Sequence, residues 1–221
     1  MTFRNTAGPH NEQAVAFLSG SDHSAVYNCS MEGYQDTLYT AANKQFYKNC
    51  KIFGTVDFIF GDALAVFQDC EIFVRKTVPR GGLVVTAHGR KYHNESTGYC
   101  LQGCTITVAA DLKPFISEYS KAFLGRPWHP YAFTMYMESF IDDLVDPQGW
   151  LDTWGYNETT FCGEYMNYGP GASTDQRVKW RGYHVINDPN IAKYFTVSKF
   201  ILGNQWLPET GVPFISAFQI L

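Results

Sequence analysis

The sequence predicts an all-β chain wound as a parallel β-helix and closed by an irregular C-terminal capping segment. Two observations carry this expectation. A short phrase, a small polar residue followed by Cys or a small residue and then an apolar residue two places on, recurs along the first two-thirds of the chain. It reads Tyr27-Asn28-Cys29-Ser30-Met31, Lys48-Asn49-Cys50-Lys51-Ile52, Gln68-Asp69-Cys70-Glu71-Ile72 and Gln102-Gly103-Cys104-Thr105-Ile106. Looser copies sit at Arg4-Asn5-Thr6 and Met137-Glu138-Ser139-Phe140-Ile141. The second observation is the step: 23, 21 and 20 residues separate Asn5, Asn28, Asn49 and Asp69. Steps of that size, filled with short Val, Ile, Phe and Tyr runs and broken by Gly, Asn and Asp, are too short for helix pairs and suit one coil of a β-solenoid. Leucine-rich repeats share the period, but their regular Leu spacing is absent.

Taken in order, three short coils are followed by two long steps, 34 residues from Asp69 to Gly103 and 35 from there to Glu138. These coils carry insertions, around 77–88 and 109–121, which contain Pro79, Gly81, Gly82 and Pro114. Insertions on one side of a solenoid commonly wall its binding face. After about residue 145 the pattern decays into a Trp-, Gly- and Pro-rich tract, read as capping material. One short helix is expected over 190–202, capped by Asp188 or Asn190.

With 45% hydrophobic and 17% charged residues among 221, the chain can bury one sizeable core, so a single domain is expected. Aromatic content of 16% suits a strand-rich core first, and stacking on flat ligands such as sugar rings second. A formal charge of −4 excludes a nucleic acid or an anionic membrane held by bulk electrostatics. No run reaches the roughly 18 apolar residues of a membrane span, and no basic-then-apolar leader opens the chain. It starts directly in a strand-like stretch, Met1-Thr2-Phe3-Arg4, so an N-terminus further upstream is expected. Sequons at Asn28, Asn94 and Asn157 are compatible with a secretory route.

In a stacked solenoid, residues at equal offset from the repeat mark lie one strand spacing apart, about 4.8 Å. Eight residues past the mark stand Gln13, Asp36 and Asp57. Two carboxyls that close cannot both ionise cheaply: one keeps its proton to higher pH while the other stays an anion. The anion can attack an ester carbonyl, the protonated partner can deliver a proton to the leaving alkoxide, and the amide above them can donate to a developing oxyanion. Stacked Asp and Asn columns also serve turns and hydrogen-bond ladders, and from geometry alone the two readings stand level. The surroundings tip the balance, because Gly33-Tyr34-Gln35-Asp36-Thr37-Leu38-Tyr39 and Gly54-Thr55-Val56-Asp57-Phe58-Ile59-Phe60-Gly61 set each Asp among aromatic and β-branched residues, where a buried carboxylate needs a reason.

Those two segments, with Gln13-Ala14-Val15-Ala16 and Leu124-Gly125-Arg126-Pro127-Trp128, resemble the signature segments of plant-type pectin methylesterases, in the family's order and over nearly the whole chain. The resemblance implies a right-handed parallel β-helix of the pectin lyase-like kind, with 1–221 forming the C-terminal portion of the catalytic domain and the N-terminal coils lying outside it. It implies hydrolysis of the C6 methyl ester of galacturonate units in pectin, with no metal or organic cofactor, in cell wall modification. Asp57 would be the nucleophile, Asp36 the general acid and then base, Gln13 and Gln35 the oxyanion donors, and Arg126 the group that orients Asp57. Arg126 held against Asp57 would favour its ionisation over that of Asp36. Trp128, a loop residue between Pro127 and Pro130, would wall the sugar site, with Arg126, Gln13, Tyr39 and Phe58 as further substrate contacts; Tyr39 and Phe58, taken singly, read as core before ligand contact. Strict strand alternation would turn Gln35 away from Asp36, so a bulge or strand end is expected there.

The resemblance further suggests a Cys70–Cys104 disulfide, a secreted cell wall monomer, pectin as ligand and a proteinaceous inhibitor as partner. Cys29 with Cys50 is geometrically allowed, and free inward thiols are the alternative; Cys100 and Cys162 read as unpaired. His88 stands where the family usually has Gln and reads as a groove-rim residue. No G-x-S-x-G elbow and no H-E-x-x-H pattern occurs, which sets aside serine-esterase and metallohydrolase chemistry. Two competitors remain: a catalytically impaired pectin-binding β-helix fragment, and a β-helical lyase or galacturonan hydrolase.

Overall fold

The computed structural model describes residues 1–78, 81–119 and 121–219; Pro79 lies outside them. The first coil is formed by β1 (Thr2–Arg4), β2 (Phe17–Ser19) and β3 (Ser24–Tyr27), the second by β4 (Ser30–Glu32), β5 (Leu38–Thr40) and β6 (Lys44–Lys48). The third holds β7 (Lys51–Gly54), β8 (Ile59–Gly61) and β9 (Leu64–Gln68), the fourth β10 (Glu71–Val74), β11 (Val84–His88) and β12 (Gly98–Gln102). The fifth holds β13 (Thr105–Val108), β14 (Phe123–Pro127) and β15 (Phe133–Met137); β16 (Phe140–Ile141), β17 (Phe161–Tyr165) and β18 (Tyr183–Val185) follow. Every third strand pairs in parallel with its equivalent one coil on, giving three sheets of six, five and seven strands. The result is a right-handed parallel β-helix, the hand that parallel crossover connections adopt.

The repeat has a backbone cause. Asn28, Asn49, Asp69, Gly103 and Glu138 sit at the corner between the third strand of one coil and the first strand of the next, all with φ between 51° and 63°. Asn, Asp and Gly tolerate this left-handed region best, which is why the mark is small and polar. The next residue closes the corner. Cys50 Sγ donates to Val26 O, Cys70 Sγ to Tyr47 O, Cys104 Sγ to Phe67 O and Ser139 Oγ to Leu101 O, each to the coil before. All six cysteines are free thiols. The expected Cys70–Cys104 bridge is therefore not formed in the structure: both thiols point inward and are spent on backbone carbonyls, and burial pushes the Cys70 thiol far above its ordinary range.

Three residues past each corner the core ladder runs Met31, Ile52, Ile72, Ile106 and Ile141, in register and fully buried. Each contributes about 2 kcal/mol by leaving water. Asn5 does not belong to this series. Arg4 pairs with Glu32, so Asn5 lies level with Gly33, past the corner position.

The solenoid also continues beyond 145, where capping material was expected. Leu124 N donates to Gly149 O and Leu151 N to Gly125 O, while β17 extends the β15 edge and β18 extends β17. Of the expected insertions, 77–88 ends early because β11 takes its second half, and 109–121 holds a 3₁₀ turn at Lys113–Glu118. The helix expected over 190–202 is broken into short turns. Asp188 does cap the first of them through Asn190 N, but Thr196 is extended, ψ 158°, and spends its hydroxyl on Lys193 O.

The tail from Ile215 to Gln219 runs along the outside of the seven-stranded sheet. Gln68 exchanges two hydrogen bonds with Ile215, Gln102 donates to Ala217 O, and Glu138 accepts from Gln219 N. No helix of the described residues is long and apolar enough to cross a membrane.

Candidate active site

The turns from the first to the second strand of the first three coils line the candidate site. In the second and third coils those turns hold Asp36 and Asp57, both in the left-handed region at φ 60° and 50°. Asp36 N donates to Val56 O at 3.0 Å, so the two turns stack one coil apart. Non-glycine residues rarely hold this conformation, and its appearance twice at facing carboxyls is the kind of strain that marks functional turns. Gln35 lies in the turn, not in a strand, so alternation does not apply to it: its carbonyl accepts from Ala14 N at 3.2 Å and its side chain lines the site with Asp36.

Gln13 lines the same groove, but by a different route from the column that pointed to it. Since Asn5 is out of register, Gln13 comes from a longer turn, residues 5–16, that folds back over the second coil through Ala14 N to Gln35 O and Ala16 N to Thr37 O.

Arg126, on β14, grips Asp57 from the far side: Nε to Oδ1 at 2.8 Å and Nη2 to Oδ2 at 2.6 Å, a bidentate fork with both groups mostly buried. Burial pushes both carboxyls up. Asp36 goes to about 7, first by desolvation and then by the charge of Asp57, with Arg126 opposing. Asp57 is raised less, because the Arg126 hydrogen bonds and charge counter its burial. A carboxyl forked by a cation beside a second carboxyl pushed up by burial is an arrangement suited to nucleophilic attack with acid assistance.

Aromatic side chains form the walls. Trp128, 37% exposed, meets Phe60 edge-on with centroids 6.0 Å apart and hangs its amide on His88 O at 3.1 Å. Trp154, 45% exposed, covers the Arg126 guanidinium at 4.8 Å, and Arg126 Nη1 reaches Thr153 Oγ1 at 3.2 Å. The sequence reading missed Trp154 because its tract was taken for capping; the pair Trp150 and Trp154, four apart in a loop-like run, was the available signal.

Phe58 is corrected by the structure. It is 0% exposed and belongs to the core, because the left-handed Asp57 turns the chain so that Phe58 and Ile59 both point inward. Phe60 takes the place assigned to it, lining the groove, with Tyr39 stacked behind at 4.6 Å. Tyr39 is half-buried, on β5 of the second coil three residues past Asp36, and pairs with Phe60 one coil on. His88 is likewise no rim residue: it is 0% exposed, its Nδ1 accepts from Phe133 N at 3.1 Å, and burial drives it down to about 3, so it is neutral.

Comparison with known proteins follows from this geometry. The family model described as Pectinesterase matches residues 1–204. The chain belongs to the pectinesterase family. Among relatives, Pectinesterase 2 of Citrus sinensis is 54% identical over 98% of the chain and 42% of its own length, and a pectinesterase/pectinesterase inhibitor of Prunus persica is 50% identical over 100% and 42%. The chain thus spans under half the length of these relatives. Pectin methylesterase from carrot superposes with a TM-score of 0.96 at 44% identity, covering 99% of the chain and 69% of that structure. The Aspergillus niger pectin methylesterase gives 0.77 at 31%, covering 93% and 63%. Within this pectinesterase fold, the described groove draws Gln13 from the first coil, Gln35 and Asp36 from the second, Asp57 from the third, and Arg126 and Trp128 from the fifth.

Proposed function

We propose that the chain carries the catalytic groove of a pectinesterase that removes C6 methyl esters from galacturonate units of pectin, giving carboxylate and methanol. The observation that carries this reading is the Arg126-forked Asp57 beside a proton-holding Asp36.

In the first half-reaction the Asp57 carboxylate attacks the ester carbonyl and the negative charge moves to the carbonyl oxygen, where the Gln13 and Gln35 amides donate. Collapse breaks the bond to the methoxy oxygen, Asp36 gives that oxygen its proton, and methanol leaves. An anhydride now joins Asp57 to the galacturonyl carbon. In the second half-reaction Asp36, now a carboxylate, takes a proton from water; the water oxygen attacks the galacturonyl carbonyl, Asp57 departs as its carboxylate, and the galacturonate acid is released. Proton and nucleophile are both regenerated. Trp128 and Trp154 supply flat faces for pyranose rings on either side.

A solved pectin methylesterase in complex with a hexasaccharide, 26% identical at a TM-score of 0.70, supports an oligosaccharide occupant. The relatives' names, which join pectinesterase to pectinesterase inhibitor, support a proteinaceous inhibitor as partner. We place the protein, as a monomer, in the cell wall by way of secretion, with Asn28 and Asn94 exposed as glycosylation acceptors. The deciding experiment is methanol release from highly methylated pectin by the chain, beside Asp57→Asn. Release that needs Asp57 is expected; reducing ends or unsaturated ends in place of methanol would overturn the reading in favour of a hydrolase or a lyase.

A further inference from the structure

Behind the catalytic turns, on the side away from the groove, lies a cation the mechanism does not use. Arg75 follows β10 on the fourth coil, and its side chain reaches back past the third coil to the second. Its Nη1 donates to Gly33 O at 3.0 Å, its Nη2 to the Tyr34 hydroxyl at 3.0 Å, and the guanidinium lies flat on the Tyr34 ring at 4.1 Å. Its third face is anchored from the fifth coil, where Asp111 Oδ2 accepts from Nε at 2.9 Å and Asp111 Oδ1 accepts from Lys76 N at 3.3 Å. One side chain thus ties together the second, fourth and fifth coils.

We propose that Arg75, anchored by Asp111, is a positioning residue that holds Gln35 and Asp36 in the groove through Gly33 and Tyr34; this rests on the reading of the groove as an ester-hydrolysing site. Gly33 and Tyr34 are the two residues immediately before Gln35 and Asp36. The segment needs restraint, since Asp36 occupies left-handed backbone: the third coil holds its neighbours through Thr55 N to Tyr34 O and Gly33 N to Phe53 O, and the first-coil turn through Ala14 N to Gln35 O. A planar fork stacked on an aromatic ring and bonded to a backbone carbonyl fixes both the position and the rotation of that segment, which a flexible lysine would not do. Small displacements of reacting groups are costly: an error near 1 Å loses about a hundredfold in rate.

The charged groups facing the Asp36 carboxyl are Asp57 and Arg126; Arg75 bonds the backbone behind it. The sign of a titration shift therefore separates positioning from a field effect. Removing a cation that acted through space could only raise the Asp36 midpoint, whereas release of the turn into water lowers it toward the ordinary carboxylate value.

The test follows Asp36 by carboxyl-carbon NMR in the wild type, Arg75→Met and Asp111→Asn, with kcat and KM for methanol release beside it. Arg75→Met is expected to lower the Asp36 midpoint by about half a pH unit or more. It should also cut kcat about tenfold with KM little changed. In an Asp36→Asn background the same substitution should cost clearly less than in the wild type, because only Gln35 is then left for it to position. An unmoved or raised midpoint in a folded variant, or an equal kcat loss in both backgrounds, overturns the proposal. A lowered midpoint in a protein whose wild type releases no methanol keeps the positioning role and rejects the esterase reading. If Arg75→Met does not fold, Arg75→Lys, which keeps the charge and loses the fork, is read in its place and must shift the midpoint in the same direction.

Discussion

Asp36 and Asp57 hold the same left-handed backbone, φ 60° and 50°, one coil apart. The same conformation serves plain corners at Asn28, Asn49 and Asp69, so what sets these two apart is what surrounds them. The carboxyls are kept in that conformation, with Arg126 forked onto one of them and burial raising the other to about 7.

Asp57→Asn is expected to abolish methanol release while leaving the coil intact. Asn accepts left-handed backbone as readily as Asp and keeps an oxygen for Arg126, but it is no nucleophile. Asp57→Val, by contrast, should also lower stability, by about 1–3 kcal/mol, through backbone strain and a stranded Arg126. Thermal melts of the two variants beside the wild type separate the effects.

The raised Asp36 carboxyl sets both a rate profile and a stability profile. kcat/KM needs Asp36 protonated, so it is expected to fall as pH rises through about 7, with an acid limb set by Asp57. Between the ordinary value of 3.8 and about 7 the folded state holds a proton that the unfolded state has lost, so stability declines as pH rises across that window. Asp36→Asn should therefore gain on the wild type by about 1–2 kcal/mol at pH 8 relative to pH 4, the figure being discounted for a half-exposed group. Urea titrations at the two pH values read it; a constant difference would remove Asp36 as the cause.

Gln13→Ala and Gln35→Ala are each expected to cost about 10² to 10³ in kcat. If both donate to one oxyanion and not to the ground-state ester, as proposed, KM should change little. A rise in KM with kcat kept would mean the two amides bind substrate and take no part in the charged step.

Phe58→Ala and Phe60→Ala, two residues apart, should fail in opposite ways. The Phe58 change hollows the core and costs about 3–5 kcal/mol without altering KM of the folded protein. The Phe60 change removes the groove's support for Trp128 and should raise KM several-fold with a smaller loss of stability. Melting curves and KM for both variants would show the crossover.

The coil and the place of the carboxyl pair were legible in the sequence because each rests on a local rule. Left-handed corners select Asn, Asp or Gly, and one position later select a donor for the preceding coil, so the mark recurs visibly at Asn28, Asn49, Asp69 and Gly103. The carboxyl pair follows from equal offsets along that mark. What stayed illegible depends on places where the chain leaves its own period. Phe58 and Phe60 cannot be told apart by alternation once Asp57 turns the backbone. Trp154 reaches the groove only because residues 149–151 rejoin β14, through hydrogen bonds that no repeat announces. His88 fits the inner side of the fourth coil by accepting from Phe133 N, a contact 45 residues away in sequence.

The tail along the seven-stranded sheet has a consequence for how the molecule meets its neighbours. Gln68 and Gln102 present carboxamides, and a carboxamide offers one donor and one acceptor side by side, as a peptide unit does. Residues 215–219 occupy that row as a built-in competitor, saturating it from within the same chain. Without them Gln68 and Gln102 would keep their bonds to each other and to Glu138, and the rest of their hydrogen-bonding capacity would face outward. The tail therefore closes to other chains a row that would otherwise be open to them.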